Sequence, residues 1–223
     1  MNQIKHNNSY LKKLSDSSLL ISVIFTIFII DLFPSSIFYI LYPIGYSLIF
    51  ILGATAVNKY RSGIFALALF ILILQWISFL FILPLVGETL NFLSVLFFII
   101  IVVSFIGQVA KAKEVSPRVI LESINGYLLL GLAFSIVIAL VMRFNPDAYN
   151  FPGIDVTTVN QQGHFGSYIY YAFVTLTTLG YGDVIPKTPG TKSLAIFIAV
   201  VGQFYIAIII ATLVSKYLNQ KRS

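Results

Sequence analysis

Thr175-Leu176-Thr177-Thr178-Leu179-Gly180-Tyr181-Gly182-Asp183 is the stretch on which the reading of the whole chain turns. It lies between a short apolar and aromatic run, Ser167 to Val174, and a long apolar run, Ser193 to Tyr217. Polar, irregular backbone is tolerated at membrane depth only where it is buried in protein or lines a water-filled path. The spacing of the glycines suggests what that path carries. In an extended segment the carbonyls normally point to alternate sides. Gly180 and Gly182 tolerate left-handed conformations that a Cβ resists. With glycine at every second position, the carbonyls from Thr178 to Tyr181 can all turn the same way. A column of carbonyl oxygens, with the Thr178 hydroxyl below, can replace the water around a dehydrated monovalent cation.

Composition points to the same class. Hydrophobic residues make up 58% of the chain and charged residues 10%, against about 25% charged in ordinary globular domains. Without cysteine there is no disulfide, thiolate metal site or cysteine nucleophile. The formal charge is +6, but the charges sit between apolar runs. No basic face remains for nucleic acid.

A membrane span needs about 20 apolar residues, roughly 17–25. Six runs qualify: Ser17–Phe33, Ser36–Val57, Gly63–Val86, Leu90–Ala110, Val119–Met142 and Thr191–Tyr217. Asp31 to Ser36 reads as a turn around Pro34, and Asn58 to Gly63 as a polar break. Pro84 to Thr89 and Lys111 to Arg118 read as further breaks. The expected organisation is a cytoplasmic tail over 1–16, a four-helix peripheral domain over 17–110, a linker over 111–118, a pore domain over 119–217 and a short tail over 218–223. With so short a tail, no soluble regulatory domain is expected in the chain.

Orientation follows from Lys and Arg in the short loops. With the N-terminus inside, the inner segments hold Lys5, Lys12, Lys13, Lys59, Arg61, Lys111, Lys113, Arg118, Lys216, Lys221 and Arg222. The outer segments hold Arg143, Lys187 and Lys192, a balance of eleven to three. Six spans then place both termini in the cytoplasm, and the glycine-containing loop enters from outside. Arg143 to Gly166 becomes an outer turret in which His164 is read as solvated. A retained, polar N-terminal tail and this charge pattern fit a bacterial plasma membrane.

Thr178-Leu179-Gly180-Tyr181-Gly182 resembles the signature of potassium channels, whose selectivity filter usually reads Thr-Val-Gly-Tyr-Gly. Leu179 stands where valine is commoner, but its carbonyl is the functional atom. Tyr170 and Tyr171 sit where the family often has an aromatic pair at the start of the pore helix. Gly202, twenty positions after Gly182, sits where many members carry a hinge glycine. The resemblance covers about Ser167 to Tyr217 and implies an all-α membrane protein. Six transmembrane helices are expected, with a re-entrant pore helix and filter loop between helices five and six. The resemblance places K+ at Thr178, Leu179, Gly180 and Tyr181, with Gly182 completing the filter and Asp183 at the outer mouth. Tyr170, Tyr171, Val174 and Thr177 support it from the pore helix. Val174 occupies a position where some bacterial relatives have a glutamate that pairs with the aspartate after the filter, so Tyr170 is the candidate partner for Asp183.

One filter strand cannot surround an ion, so a homotetramer in a lipid bilayer is expected. The permeant K+ is the only ion implied, with no cofactor. Voltage-gated channels of six-helix design carry arginine at every third position of the fourth helix, and moving one charge through the field is worth about 2.3 kcal/mol per 100 mV. Leu90 to Ala110 contains no Lys, Arg, Asp or Glu, so the sensor chemistry is missing. Gln75, Ser104 and Gln108 are expected to bond between helices. In the last helix Gly202, Ile206 and Ile210 recur at helical spacing, with Leu213 continuing roughly the same face. Part of that stripe is a candidate gate that closes by excluding water.

Three function classes meet these observations. A potassium-selective channel fits all of them. A weakly selective cation channel often lacks the tyrosine that Tyr181 supplies. A membrane enzyme would need paired carboxylates, a histidine cluster or a nucleophile within the spans, and an accessory subunit would have no need of the filter stretch.

Overall fold

The computed structural model describes residues 15–57, 61–81, 84–112, 114–152 and 164–220. The expectations for the N-terminal tail before Ser15, for 153–163 of the turret and for the last three residues lie outside the described residues. Seven helical segments are described: α1 (Ser15–Leu32), α2 (Phe38–Ala56), α3 (Arg61–Phe81), α4 (Pro84–Lys111), α5 (Pro117–Phe144), α6 (Phe165–Leu176) and α7 (Pro189–Gln220). Among the described residues five of them, α1, α3, α4, α5 and α7, are long and apolar enough to cross a membrane. The apolar part of α2, Ile40–Ala56, is shorter.

The helix boundaries follow local chemistry that apolar run length does not show. α4, α5 and α7 each begin at a proline. Proline suits the first helical position because its missing N–H would have no intrahelical partner there. The break expected over Pro84 to Thr89 is therefore absent, and α4 runs straight through Gly87 and Glu88. Ser116 caps α5 by accepting from the Val119 N–H at 3.4 Å. α1 loosens toward its end, through a π turn at Phe25–Ile29 and a 3-10 turn at Ile30–Leu32, and stops before Pro34. α7 has 32 residues. At 1.5 Å per residue it is about 48 Å long, more than the roughly 30 Å of a bilayer core.

α5 lies along α4 on one side and α6 on the other, while α2, α3 and α4 pack in succession. The core of the peripheral half is aromatic. Phe50 stacks on Phe97 at 4.3 Å and 9°, and Phe98 meets Phe50 edge-on at 5.2 Å. Gln75 bonds across helices, donating to Ser94 Oγ at 3.1 Å. Ser104 does not bond across helices as expected, because its hydroxyl donates to the Ile100 carbonyl of its own helix at 2.7 Å.

The ionic contacts gather at the two ends of the bundle. At one end Arg118 Nε meets the buried Asp16 carboxylate at 2.9 Å, and its Nη2 meets Glu122 Oε1 at 2.9 Å. At the same end Lys216 Nζ of α7 donates to the carbonyls of Ala110 and Ala112, the first at 2.8 Å. A cation placed on the last carbonyls of α4 is favoured by the partial negative charge there. At the other end Arg143 Nε meets Glu88 Oε1 at 2.8 Å, and Tyr42 donates to Asp31 at 2.5 Å.

One feature departs from the all-α expectation. β1 (Tyr149–Asn150) pairs antiparallel with β2 (Ile185–Pro186), Tyr149 opposite Pro186 and Asn150 opposite Ile185. Lys187 N–H donates to the Ala148 carbonyl at 2.9 Å, and Thr191 Oγ1 donates to the same carbonyl at 3.1 Å. This ribbon ties the segment leaving the glycine loop to the end of α5.

Candidate functional site

α6 is a 12-residue helix with Tyr168, Ile169, Tyr171, Ala172 and Leu176 buried. It begins at Phe165, so Tyr170 and Tyr171 stand in its middle and not at its start. Thr177 closes it, with its N–H on the Phe173 carbonyl at 2.9 Å and its hydroxyl on the same carbonyl at 2.7 Å. The chain then turns out of the helix, and Thr178 N–H reaches the Thr175 carbonyl at 2.9 Å.

The next two amides return to one acceptor. Leu179 N–H and Gly180 N–H both donate to the Val174 carbonyl, at 3.0 and 3.2 Å. In a planar trans peptide the N–H and the preceding C=O point in opposite directions. The carbonyls of Thr178 and Leu179 therefore face away from α6, toward open space. Residues 177–183 are exposed, Leu179 by 56% and Tyr181 by 67%.

The backbone alternates along this edge. Thr178 has φ 60°, Gly180 57° and Gly182 80°. These are left-handed values, natural for glycine and uncommon for a side chain branched at Cβ. Thr178 is the one described non-glycine residue with a positive φ. Its hydroxyl accepts from Gln203 Nε2 of α7 at 3.2 Å. A Cβ on Gly180 or Gly182 would meet nothing within 4 Å, so those positions need glycine for conformation and not for space.

Asp183 follows the stretch and is bonded on both sides. Tyr170 Oη donates to its Oδ2 at 2.5 Å, and the Val184 N–H donates to Oδ1 at 3.0 Å. The Tyr170 bond holds the carboxyl below the ordinary carboxylate range, helped by Val184 and opposed by some loss of hydration.

α7 packs on this assembly through Gly202. A Cβ there would be 2.1 Å from the Leu176 carbonyl oxygen, so the helices touch backbone to backbone. α7 runs without interruption through Gly202, the expected hinge. Ile198, Gly202, Tyr205 and Ile209 form its buried face, and Tyr205 Oη donates to the Ser123 carbonyl of α5 at 2.8 Å. The expected stripe is thereby divided. Gly202 is buried, Ile206 and Leu213 are half-buried, and Ile210 is exposed. Helical spacing puts Ile210 on the face of Gln203, Ala207 and Val214, all exposed. Gln203 was not singled out from sequence, although a lone amide in the apolar run Leu194 to Ile210 was a legible signal.

A family model meets the chain on this half. Residues 126–219 match the family described as "Ion channel". The chain is 29% identical over 119 residues to two-pore potassium channel 5 of Arabidopsis thaliana, covering 52% of this chain and 26% of that protein. It is 34% identical over 91 residues to potassium voltage-gated channel subfamily A member 10 of Homo sapiens, covering 40% and 17%. It is 30% identical over 92 residues to the potassium voltage-gated channel protein Shal of Drosophila melanogaster, covering 41% and 15%. The aligned parts span about a quarter or less of these relatives' lengths. No solved structure matches the chain.

Proposed function

We propose that this chain is the subunit of a potassium-selective channel, with Thr178, Leu179, Gly180, Tyr181 and Gly182 as its filter. The observation that carries the reading is the return of the Leu179 and Gly180 amides to the Val174 carbonyl, combined with positive φ at 178, 180 and 182. Opposite-handed φ values at alternate residues cancel the turn from one peptide to the next, so the carbonyls keep one direction. Four such strands around an axis supply rings of carbonyl oxygens that take the place of K+ hydration. The named relatives are potassium channels, which supports K+ as the permeant ion.

The assembly in this reading is a homotetramer in a plasma membrane. Each chain crosses six times, with α6 re-entrant and both termini cytoplasmic. The apolar part of α2, 17 residues over 40–56, stands at the short end of the spanning range. The exposed carbonyl edge and the Gln203 face of α7 would line the path. Ionisable side chains appear in α4 only near its ends, as Glu88 and Lys111, so conduction is not steeply voltage-gated.

The test is K+ flux from liposomes holding the purified chain, with reversal potentials in K+ and Na+. The parent passes K+ well ahead of Na+. Gly180→Ala asks for a left-handed alanine at φ 57°, at about 1–2 kcal/mol per residue. Selective flux should disappear while the tetramer survives. Equal K+ and Na+ permeability in the parent would move the reading to a weakly selective cation channel. Parent-like selectivity in Gly180→Ala would refute the carbonyl column.

A further inference from the structure

Asp31 ends α1 some 135 positions ahead of Gly166 in the chain, yet its carboxylate lies on the first turn of α6. A Cβ built on Gly166 would be 2.3 Å from both of its oxygens. Tyr42 Oη of α2 donates to Asp31 Oδ1 at 2.5 Å. The Tyr42 and Tyr46 rings both meet Phe165 edge-on, at 5.3 and 5.5 Å. The peripheral half thus grips the start of the helix that ends at the filter.

The first backbone N–H groups of a helix have no partner within it and carry partial positive charge. His164, the residue ahead of α6, contributes no side-chain cap. Asp31 brings a carboxylate to that end from a different element, and the absence of a side chain on Gly166 lets it approach. About one turn along, Tyr170 holds Asp183, and at the far end the Val174 carbonyl holds the Leu179 and Gly180 amides. α6 therefore has the Asp31 carboxylate against its first turn and carries the Leu179 and Gly180 amides at its finish.

We propose that Asp31 is a positioning residue for the filter: aimed by Tyr42, its carboxylate caps α6 and fixes the helix on which the filter amides hang. The proposal rests on the channel reading above. It assigns the peripheral half a task at the filter that needs no gating charges. It also makes that half part of the conduction machinery of its own chain.

The experiment uses the full chain in liposomes as parent, Asp31→Asn and Tyr42→Phe, with the double variant as control. Backbone amide exchange is followed over residues 165–168 and at Leu179 and Gly180, beside K+ flux at high and low external K+. Asn keeps the shape of Asp31 and removes its charge. Asp31→Asn should speed exchange about two- to five-fold at both places, the size of a charge at a helix terminus. Flux should fade about two- to five-fold sooner in low external K+ by the same factor, and high K+ should restore it, because ions in the filter brace the strand. Tyr42→Phe should move each readout in the same direction by less. The double variant should be no worse than Asp31→Asn, as expected for residues acting as a unit. Parent-like exchange over 165–168 in Asp31→Asn would overturn the proposal. So would faster exchange there with Leu179, Gly180 and the flux unchanged, which would make Asp31 a helix cap only. If the parent carries no K+ flux the channel reading fails, and exchange at Leu179 and Gly180 still decides whether Asp31 positions that strand.

Discussion

Gly202→Ala separates two accounts of the same residue. Family resemblance makes Gly202 a hinge, whereas the structure makes it the point where α7 touches the end of α6. An alanine Cβ would lie 2.1 Å from the Leu176 carbonyl oxygen, 2.9 Å from its Cδ1 and 3.0 Å from its carbonyl carbon. Favourable carbon contacts begin near 3.5 Å, so the helices must part by roughly 1 Å. The carbonyl is main chain just before the Thr178 to Gly182 turn and cannot swing aside as a side-chain tip would. Overpacking of this kind costs about 1–3 kcal/mol, and in the proposed tetramer four contacts change together. The same movement carries the next residue, Gln203, away from the Thr178 hydroxyl, whose bond at 3.2 Å has little slack. The assay pairs thermal unfolding of the detergent-solubilised protein with K+ flux in liposomes. We expect a lower melting temperature together with reduced flux. A variant that keeps parental thermal stability but opens slowly would refute the close-contact reasoning and restore the hinge.

Two further predictions follow from the described geometry. Ile210 is exposed on the face of Gln203 while Ile206 is half-buried, so Ile210→Ser should raise the resting K+ leak through a wetted constriction, and Ile206→Asn should chiefly lower stability. A greater leak from Ile206→Asn than from Ile210→Ser would mean that the pore runs along another face of α7. Asp183 is held below the ordinary carboxylate range chiefly by Tyr170, so its charge persists on acidification until the pH falls through that depressed value. Tyr170→Phe removes the main cause, and the acid midpoint of flux should move up toward about 3.9; coincident midpoints, or the parent failing at the higher pH, would count against the Tyr170–Asp183 bond as its source.

Much of the backbone around the glycine stretch was legible because its demands are local. The need for left-handed backbone is written as glycine at 180 and 182, and the tyrosine hydroxyl for Asp183 lies thirteen positions upstream. Thr178 is the exception: its positive φ shows in the structure but not in its residue type. Helix starts were misjudged where apolar content was the guide. Pro84 and Pro117 fall in stretches read as breaks, yet each is a favourable first residue, as Pro189 is for α7. The face of α7 was the other failure. A helix apolar nearly all round gives no sign of which side packs, and the side was settled by the close approach at Gly202 and the reach of Tyr205 to α5. The grip of Asp31 on α6 spans far too much chain for any local pattern to announce it.

The shared acceptor at Val174 has a consequence for how this chain can be interrogated. Alanine scanning finds functional residues by deleting side chains, and here the groups that set the strand's direction belong to the peptide itself. A scan across Leu179 or Val174 would leave the amide donors and the carbonyl acceptor in place and could return a quiet result at the busiest position in the sequence. Semisynthesis reaches what mutagenesis cannot. An ester in place of the amide that joins Thr178 to Leu179, or Leu179 to Gly180, deletes one N–H while keeping every side chain. The two esters should act through the same oxygen, since the donors at 3.0 and 3.2 Å converge on it. Losing one leaves the other still moored, and losing both frees the strand.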